Sequence, residues 1–175
     1  VPPAGLIEPR VDGQVTNYFE WLGAGVYSPD FRSGSMHGGT HGVDALYFGH
    51  NDHALYLRLD LSPAFLGEHP EFEVRVNLDC ESRARLHATL GQGRLGLIQF
   101  WKRDEQILLP LGTTDQLRVA FDRIFELGLD YALAELESGE KTRLQVSLWA
   151  DGLHIQVLPP EGWLAVELTE DLVSW

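Results

Sequence analysis

The sequence predicts an all-β protein, an antiparallel β-sandwich of about ten short strands with at most short helices, either jelly-roll or immunoglobulin-like. Two segments, Glu71 to Asp79 and Thr142 to Trp149, alternate strictly between apolar and polar residues, as half-buried strands do. Turn residues recur between short apolar runs, and no stretch has the period of a long amphipathic helix. Parallel α/β folds are disfavoured because each of their crossovers needs about a dozen residues or more, usually helical.

The start of the chain is expected to lead into the domain. Residues 1–10 contain three prolines, which suit an extended linker. Val11 to Tyr27 opens with an Asp-Gly turn signal and continues as either a strand or one short helix. Ser28 to Gly42 is rich in Gly, Ser and His and is expected to be a loop, interrupted by a short strand at Ser35 to His37. Residues 11–175 are expected to form a single domain and, since the chain does not begin with Met, to be processed or part of a larger protein.

Two hairpins are the clearest strand pairs. Val43 to Gly49 and Ala54 to Asp60 flank a short polar connection, and Thr142 to Trp149 is joined by Asp-Gly to Leu153 to Leu158. Phe121 to Leu136 could hold a helical turn. The remaining strand candidates are short runs bounded by turn residues: Ala84 to Leu90, Gly96 to Lys102, Gln106 to Leu109, Arg118 to Glu126 and Trp163 to Leu168.

The charge balance is strongly acidic. Thirteen basic and 26 acidic residues give a formal net charge of −13, which would repel a nucleic-acid backbone or an anionic membrane surface. No apolar run approaches the roughly 18 residues that span a bilayer, and no basic start precedes an apolar stretch as in a signal peptide. The single cysteine, Cys80, excludes an internal disulfide framework. We therefore expect a soluble, cytoplasmic protein that binds neither nucleic acid nor membranes.

No catalytic signature stands out in the sequence. There is no Gly-rich loop ending in Gly-Lys-Ser/Thr and no Gly-x-Ser-x-Gly elbow. The many carboxylates single out no acid–base pair, because glycosidase chemistry depends on a spatial separation that spacing along the chain does not reveal. The isolated domain is therefore not expected to be an enzyme.

A clustering of histidines raises a weak alternative, a metal site. Four of the seven histidines lie close together in the sequence: His37, His41, His50 and His53. Imidazoles from a loop and a hairpin turn could converge on zinc or copper, although their spacing matches no established ligand motif and histidines on a Gly-rich loop more often form plain polar surface. No resident cofactor is expected; calcium is a further weak alternative, without an Asp-rich loop, using Asp12, Asp44 or Asp52.

Strand parity directs three of the five tryptophans away from the core. The apolar residues of Thr142 to Trp149 alternate with polar ones such as Gln145, and Trp149 falls on the polar side. The same alternation puts Trp101 and Trp163 on the more polar sides of their strands. An indole stacks on the C–H face of a sugar ring while polar neighbours bind the hydroxyls. Trp149, Trp163, Trp101 and Gln145 are thus the candidate carbohydrate-binding residues, unless a loop, a helix or a neighbouring domain covers that face.

A different aromatic group, Tyr18 and Trp21, lies within a mostly apolar run near the start of the chain. These two residues are the candidates for an interface with another domain, and Trp21 is alternatively part of the core.

Several segments together resemble a known family. Pro9 to Gly13, Tyr18 to Trp21 and Gly23 to Gly25 are similar to the opening of the C-terminal β-sandwich domain of family 57 glycoside hydrolases, the amylase and glucan-modifying group. The similarity continues through Gly34 to His37, Leu55 to Asp60, and Leu158 to Gly162 with the residues that follow up to Trp175. DOMON-like and family 9 carbohydrate-binding sandwiches share the early Asp-Gly turn and the paired central strands.

The resemblance implies a non-catalytic accessory domain, because in those enzymes the catalytic carboxylates belong to an upstream domain. Its implied partners are that catalytic domain, in the same polypeptide, and a carbohydrate of the α-glucan type. Related sandwiches bind sugars, haem or calcium, so the ligand is not determined by membership alone. The alternatives are a structural domain that packs on the catalytic domain and stabilises it, and a metal-binding or small-ligand-binding sandwich.

Overall fold

The computed structural model describes residues 2–3, 5–15, 18–29, 42–109 and 115–168, and in these residues the chain is nearly all β. Twelve strands form two antiparallel sheets, accompanied by two short helices and one 3-10 turn. The predicted all-β antiparallel sandwich is confirmed. Most of the loop predicted at Ser28 to Gly42, including the short strand at Ser35 to His37, lies outside the described residues.

The smaller sheet has five strands in the order β1-β2-β3-β9-β8. The predicted hairpin at its centre is confirmed, with a ladder from Val43 opposite Leu61 to His50 opposite Leu55. These strands are β1 (Gly25–Tyr27), β2 (Val43–His50), β3 (Ala54–Leu61), β8 (Leu117–Phe121) and β9 (Phe125–Asp130).

The larger sheet has seven strands. Six follow the order β11-β10-β4-β5-β6-β7. The seventh, β12, pairs with the N-terminal part of β10, on the same side of β10 as β11. The second hairpin predicted from the sequence, β10 with β11, lies in this sheet and is also confirmed. These strands are β4 (Glu71–Asp79), β5 (Arg85–Gly91), β6 (Arg94–Lys102), β7 (Glu105–Ile107), β10 (Lys141–Ala150), β11 (Leu153–Leu158) and β12 (Leu164–Glu167).

One main hydrophobic core lies between the two sheets. The alternating residues of β4 and β10 meet there in register, with Val76 opposite Val146 and Val74 opposite Leu148, all at most 3% exposed. Leu57 and Leu127 contribute the facing surface from β3 and β9. The strict alternation seen in the sequence therefore reflects one buried and one outward face.

One strand prediction was wrong, and one helix was missed. Arg118 to Glu126 is two strands, β8 and β9, joined by a tight turn. The possible helical turn after them is α2 (Tyr131–Ala134). A helix that the sequence analysis did not anticipate, α1 (Pro63–Glu68), begins after Ser62, whose side chain accepts a hydrogen bond from the Phe65 amide. Serine at the N-cap followed by proline is a helix-start signal that was present in the sequence.

The start of the chain packs against the outer face of the smaller sheet. Ile7 is 5% exposed and its amide donates to the carbonyl of His50, while the undecided aromatic stretch forms a 3-10 turn (Tyr18–Trp21) followed by β1. The Asp-Gly turn places Gly13 at a φ of +78°, and its carbonyl accepts hydrogen bonds from two amides of the β8–β9 turn. This covering explains why β3 and β9 are buried on both faces.

No helix in the described part of the chain is long and apolar enough to cross a membrane.

Candidate functional site

The outward face of the larger sheet is polar and carries the predicted site residues. In register across β10 and β4, Trp149 lies opposite Glu73, Ser147 opposite Arg75, and Gln145 opposite Asn77. The same rows continue on the next strands, with His87 opposite Arg75 and Arg85 opposite Asn77 on β5, and Gln99 and Trp101 on β6. Strand pairing therefore brings residues that are far apart in the sequence onto one surface.

A depression with a volume of about 320 Å³ lies in the middle of this face. Its floor and walls are mostly polar or charged, with one indole at the side. The lining residues are Arg75, Asn77, Arg85, His87, Gln145, Ser147, Trp149, His154 and Val157.

Trp149 is half-buried and points outward, as strand parity predicts. Its Nε1–H donates a 2.9 Å hydrogen bond to Ser147 Oγ, two residues earlier on the same face. The guanidinium of Arg75 lies over the ring at 3.9 Å from its centroid, and His154 meets it edge-on at 5.7 Å. A bulge does interrupt the β10–β11 ladder after Leu148, but pairing with β4 continues through Trp149, so the ring is not turned inward.

Trp101 also faces outward, opposite the buried Phe100 side. Arg85 lies over its ring at 4.8 Å and His87 packs against it at 4.5 Å. Trp101 lies in the same cross-strand row as Gln145 on β10. Trp149 is four residues further along β10, a distance of about 13 Å. The two strands that separate β6 from β10 add about 14 Å across the sheet, so the two indoles lie at opposite corners of the face.

Trp163 immediately precedes β12 and is 37% exposed. The β12 ladder pairs Leu164 with Leu144, so the next step along it brings Trp163 level with Gln145. Gln145 Nε2 donates to the Gly162 carbonyl at 3.3 Å, which ties β10 to the segment that carries Trp163. The four predicted carbohydrate-binding residues thus belong to one sheet face, although Trp101 and Trp163 do not line the depression.

A charged group organises the centre of the face. Glu73 accepts two hydrogen bonds from Arg75, at 3.0 and 3.3 Å, and its Oε1 lies 3.2 Å from His87 Nδ1. Burial and then the charges of Arg75 and Arg85 lower the pKa of His87, against the opposing effect of Glu73. The lowered pKa favours the neutral ring, and a neutral ring that donates its Nδ1–H to Glu73 has Nε2 as an acceptor suited to a hydroxyl group.

Trp21 lies on the opposite side of the molecule. It is 6% exposed and packs with Ile7, Ala24 and Tyr56, so its burial is explained within this domain. Its Nε1–H donates at 3.3 Å to the fully buried carboxylate of Glu126. The side chain of Tyr18, the other predicted interface residue, lies outside the described part of the structure.

Glu126 also accepts hydrogen bonds from the amides of Asp12 and Gly13, at 3.2 and 2.9 Å. Desolvation raises its pKa to about 7, even though the backbone hydrogen bonds oppose that change. This carboxylate joins the Asp-Gly turn and the 3-10 turn to β9.

The predicted metal ligands do not converge where they are described. His50 is buried with Nδ1 3.3 Å from the Asn51 carbonyl, His53 is exposed, and His37 and His41 lie outside the described residues. The turn is organised instead by Asn51, whose Oδ1 accepts from the amides of His53 and Ala54. Among the described residues, no three His, Cys, Asp or Glu side chains are grouped as metal ligands; this includes Asp12, Asp44 and Asp52, the calcium candidates.

Sequence reasoning missed most of the charged residues that line the depression. Arg75 and Asn77 were recognisable as the polar side of β4, and Arg85 and His87 as that of β5. What the sequence did not reveal was the strand order, because only the β10–β4–β5 pairing brings these positions beside Trp149 and Gln145.

The chain matches no protein-family model, no curated protein and no solved structure. The resemblance to the C-terminal domain of family 57 glycoside hydrolases therefore remains a prediction.

Proposed function

We propose that this is a non-catalytic accessory domain that binds carbohydrate on the outward face of its larger sheet. The observation that carries the proposal is the sharing of one face by Trp149, Trp101, Trp163 and Gln145 around a depression of about 320 Å³. Indole rings supply apolar surface for the C–H faces of sugars, and amide, hydroxyl and imidazole groups supply partners for hydroxyls.

The spacing of the indoles indicates an extended ligand. Trp149 and Trp101 stand at opposite corners of the face, so a single sugar ring could contact only one of them, whereas an oligosaccharide could run diagonally between them. Arg75 covers one side of the Trp149 ring, so a sugar that stacks on this indole would use the other side. The resemblance described above favours an α-glucan as the ligand and an amylase-type glycoside hydrolase as the parent protein.

The test is a titration of the domain with maltoheptaose and soluble starch, followed by calorimetry and by the indole N–H signals in proton–nitrogen NMR. We expect heat of binding together with shifts of the Trp101, Trp149 and Trp163 signals. Trp21 is an internal control, because it is buried beneath the start of the chain and its signal should not move. The absence of both heat and shifts with every sugar would reject the proposal.

A second candidate is a structural domain that stabilises an attached catalytic domain. Two strongly exposed leucines favour it, Leu97 on β6 at 62% and Leu108 just after β7 at 88%, because the β6–β7 pairing brings them near each other and an exposed apolar patch often marks a contact surface. Deleting the domain should then lower the melting temperature of the parent protein without changing its affinity for polysaccharide. A lower affinity with unchanged melting temperature would favour carbohydrate binding instead.

A further inference from the structure

The charge of the depression is opposite to that of the chain. The protein as a whole has a net charge of −13, with twice as many acidic as basic residues. The described residues that line the depression nevertheless include two guanidinium groups, those of Arg75 and Arg85, and no carboxylate, although Glu73 beside it is paired with Arg75. A neutral sugar alone would not require two guanidinium groups.

The two guanidinium groups come from diagonal positions on neighbouring strands. Arg75 is opposite His87, and Arg85 is opposite Asn77, two residues further along β4. Diagonal neighbours of this kind have Cβ atoms about 7 Å apart, within reach of a single small ligand for long side chains. Each guanidinium is oriented by an indole, Arg75 by Trp149 and Arg85 by Trp101.

Both arginines retain hydrogen-bonding capacity. Glu73 engages two of the five N–H groups of Arg75, at its Nε and Nη2. The nearest described carboxylate oxygen to Arg85 belongs to Asp104, at 3.8 Å from Nη1, which is too long for a hydrogen bond. The Nε of Arg85 is buried and has no hydrogen-bond partner among the described residues.

Neutral polar groups complete the lining beside these charges. The side-chain amide of Asn77 makes no hydrogen bond to any described residue. Ser147 and Gln145 are two residues apart on the same face of β10. These groups suit the hydroxyls that surround a charged substituent on a sugar.

We propose that the depression binds an oxyanion, a carboxylate or a phosphate ester, carried by the saccharide, with Arg75 and Arg85 as its ligands. This inference rests on the proposed carbohydrate-binding function and names the chemical class of its ligand. Guanidinium groups recognise carboxylates and phosphate esters alike by charge-assisted hydrogen bonds. An experiment must therefore distinguish a sugar carboxylate from a sugar phosphate.

The experiment compares ligands of matched length on the complete domain: neutral maltotetraose, the same oligosaccharide phosphorylated on one glucose, and tetragalacturonate. Inorganic phosphate is the probe for the anion alone. We expect one of the charged sugars to bind about tenfold more tightly than maltotetraose, with an advantage that shrinks as salt is added. The preferred charged sugar identifies the source of the oxyanion.

Arg85→Gln should abolish the advantage of the charged sugar over maltotetraose. Arg143→Gln is the matched control, because Arg143 is on the same face of β10 and is paired with Asp79 outside the depression. Proton–nitrogen NMR spectra of both variants verify that each remains folded.

The outcomes separate this inference from the proposed function. Equal affinity for charged and neutral sugars would overturn the oxyanion site and leave carbohydrate binding intact. No binding of any sugar would overturn both. Phosphate binding as tightly as the phosphorylated sugar, with no affinity for maltotetraose, would overturn the assignment of the anion to a saccharide.

Discussion

The guanidinium carbon of Arg75 lies 3.9 Å from the centroid of the Trp149 ring, and the same arginine is held at its edge by Glu73. The contact fixes the orientation of the indole without burying it, since the ring remains half-exposed on the outward face. A rigid, partly exposed indole loses little conformational freedom when a ligand stacks on it. This relationship is the basis for the first prediction.

Trp149→Ala should weaken saccharide binding about tenfold or more, because a lost stacking anchor costs about 1 to 3 kcal/mol where nucleic-acid bases stack on aromatic side chains. The free energy of unfolding should fall by only about 1 to 2 kcal/mol, since the ring is half-buried and loses one cation–π contact and one hydrogen bond. Calorimetry and urea denaturation measure the two effects. Trp149→Phe, which keeps an aromatic ring, should retain most of the affinity. A stability loss comparable to the removal of a fully buried aromatic would instead favour a structural role for Trp149.

Val146→Asp should destabilise the protein by several kcal/mol, because Val146 is fully buried between Val76 and Leu158 in a cluster of apolar side chains, where the new carboxylate would be unpaired among the described residues. Circular dichroism during thermal unfolding reads the change. Ile155→Asp on β11 is the control, at a position 37% exposed, and should cost less than about 1 kcal/mol. Similar losses for both variants would contradict the assignment of Val146 to the core.

The titration of Glu126 should lower stability as the pH rises. Its pKa is raised from 4.5 to about 7 in the folded protein, so the folded state holds a proton that the unfolded state has already released between these values. The resulting stabilisation is fully present below pH 4.5 and is lost as the pH passes through 7, by about 3 kcal/mol in total.

Glu126→Gln removes this titration, and its stability relative to the natural protein should therefore rise across the same pH interval. Urea denaturation at several pH values measures the free energy of unfolding of both proteins. The contributions of the other carboxylates cancel in the difference between the two free energies. A difference that is independent of pH would show that Glu126 titrates at its ordinary value.

Asn51→Ala should destabilise the central hairpin by about 1 to 3 kcal/mol, because Asn51 Oδ1 accepts from the amides of His53 and Ala54 and the second of these is buried. Asn51→Asp keeps an acceptor oxygen and should lose less. Hydrogen exchange of the Ala54 amide gives a local readout, which should accelerate most in the alanine variant. Unchanged exchange would mean that water replaces the Asn51 side chain at no cost.

The local patterns of the sequence were sufficient for the strands and for the direction of several side chains. The alternation in β4 and β10 placed Val74 and Val146 inside and Trp149 outside, and the hairpin signals around Asn51 and Asp151 were sound. Such patterns succeed because a strand with one buried face must alternate with a period of two. They failed for α1, whose six residues are too few to show a helical period, and within Arg118 to Glu126, where an apolar run conceals a turn.

The sequence by itself determined the fold class, the core positions of the regular strands and the outward parity of Trp101 and Trp149. Only the tertiary structure decided that β10 pairs with β4 and β4 with β5, which brings Arg75, Arg85 and His87 onto the face that carries Trp149 and creates the depression. It also decided that Trp21 is buried over Glu126 by the start of the chain. The physical reason is that alternation within a strand reports only on its two faces, whereas the neighbours of a strand are selected by long-range packing between segments distant in the sequence.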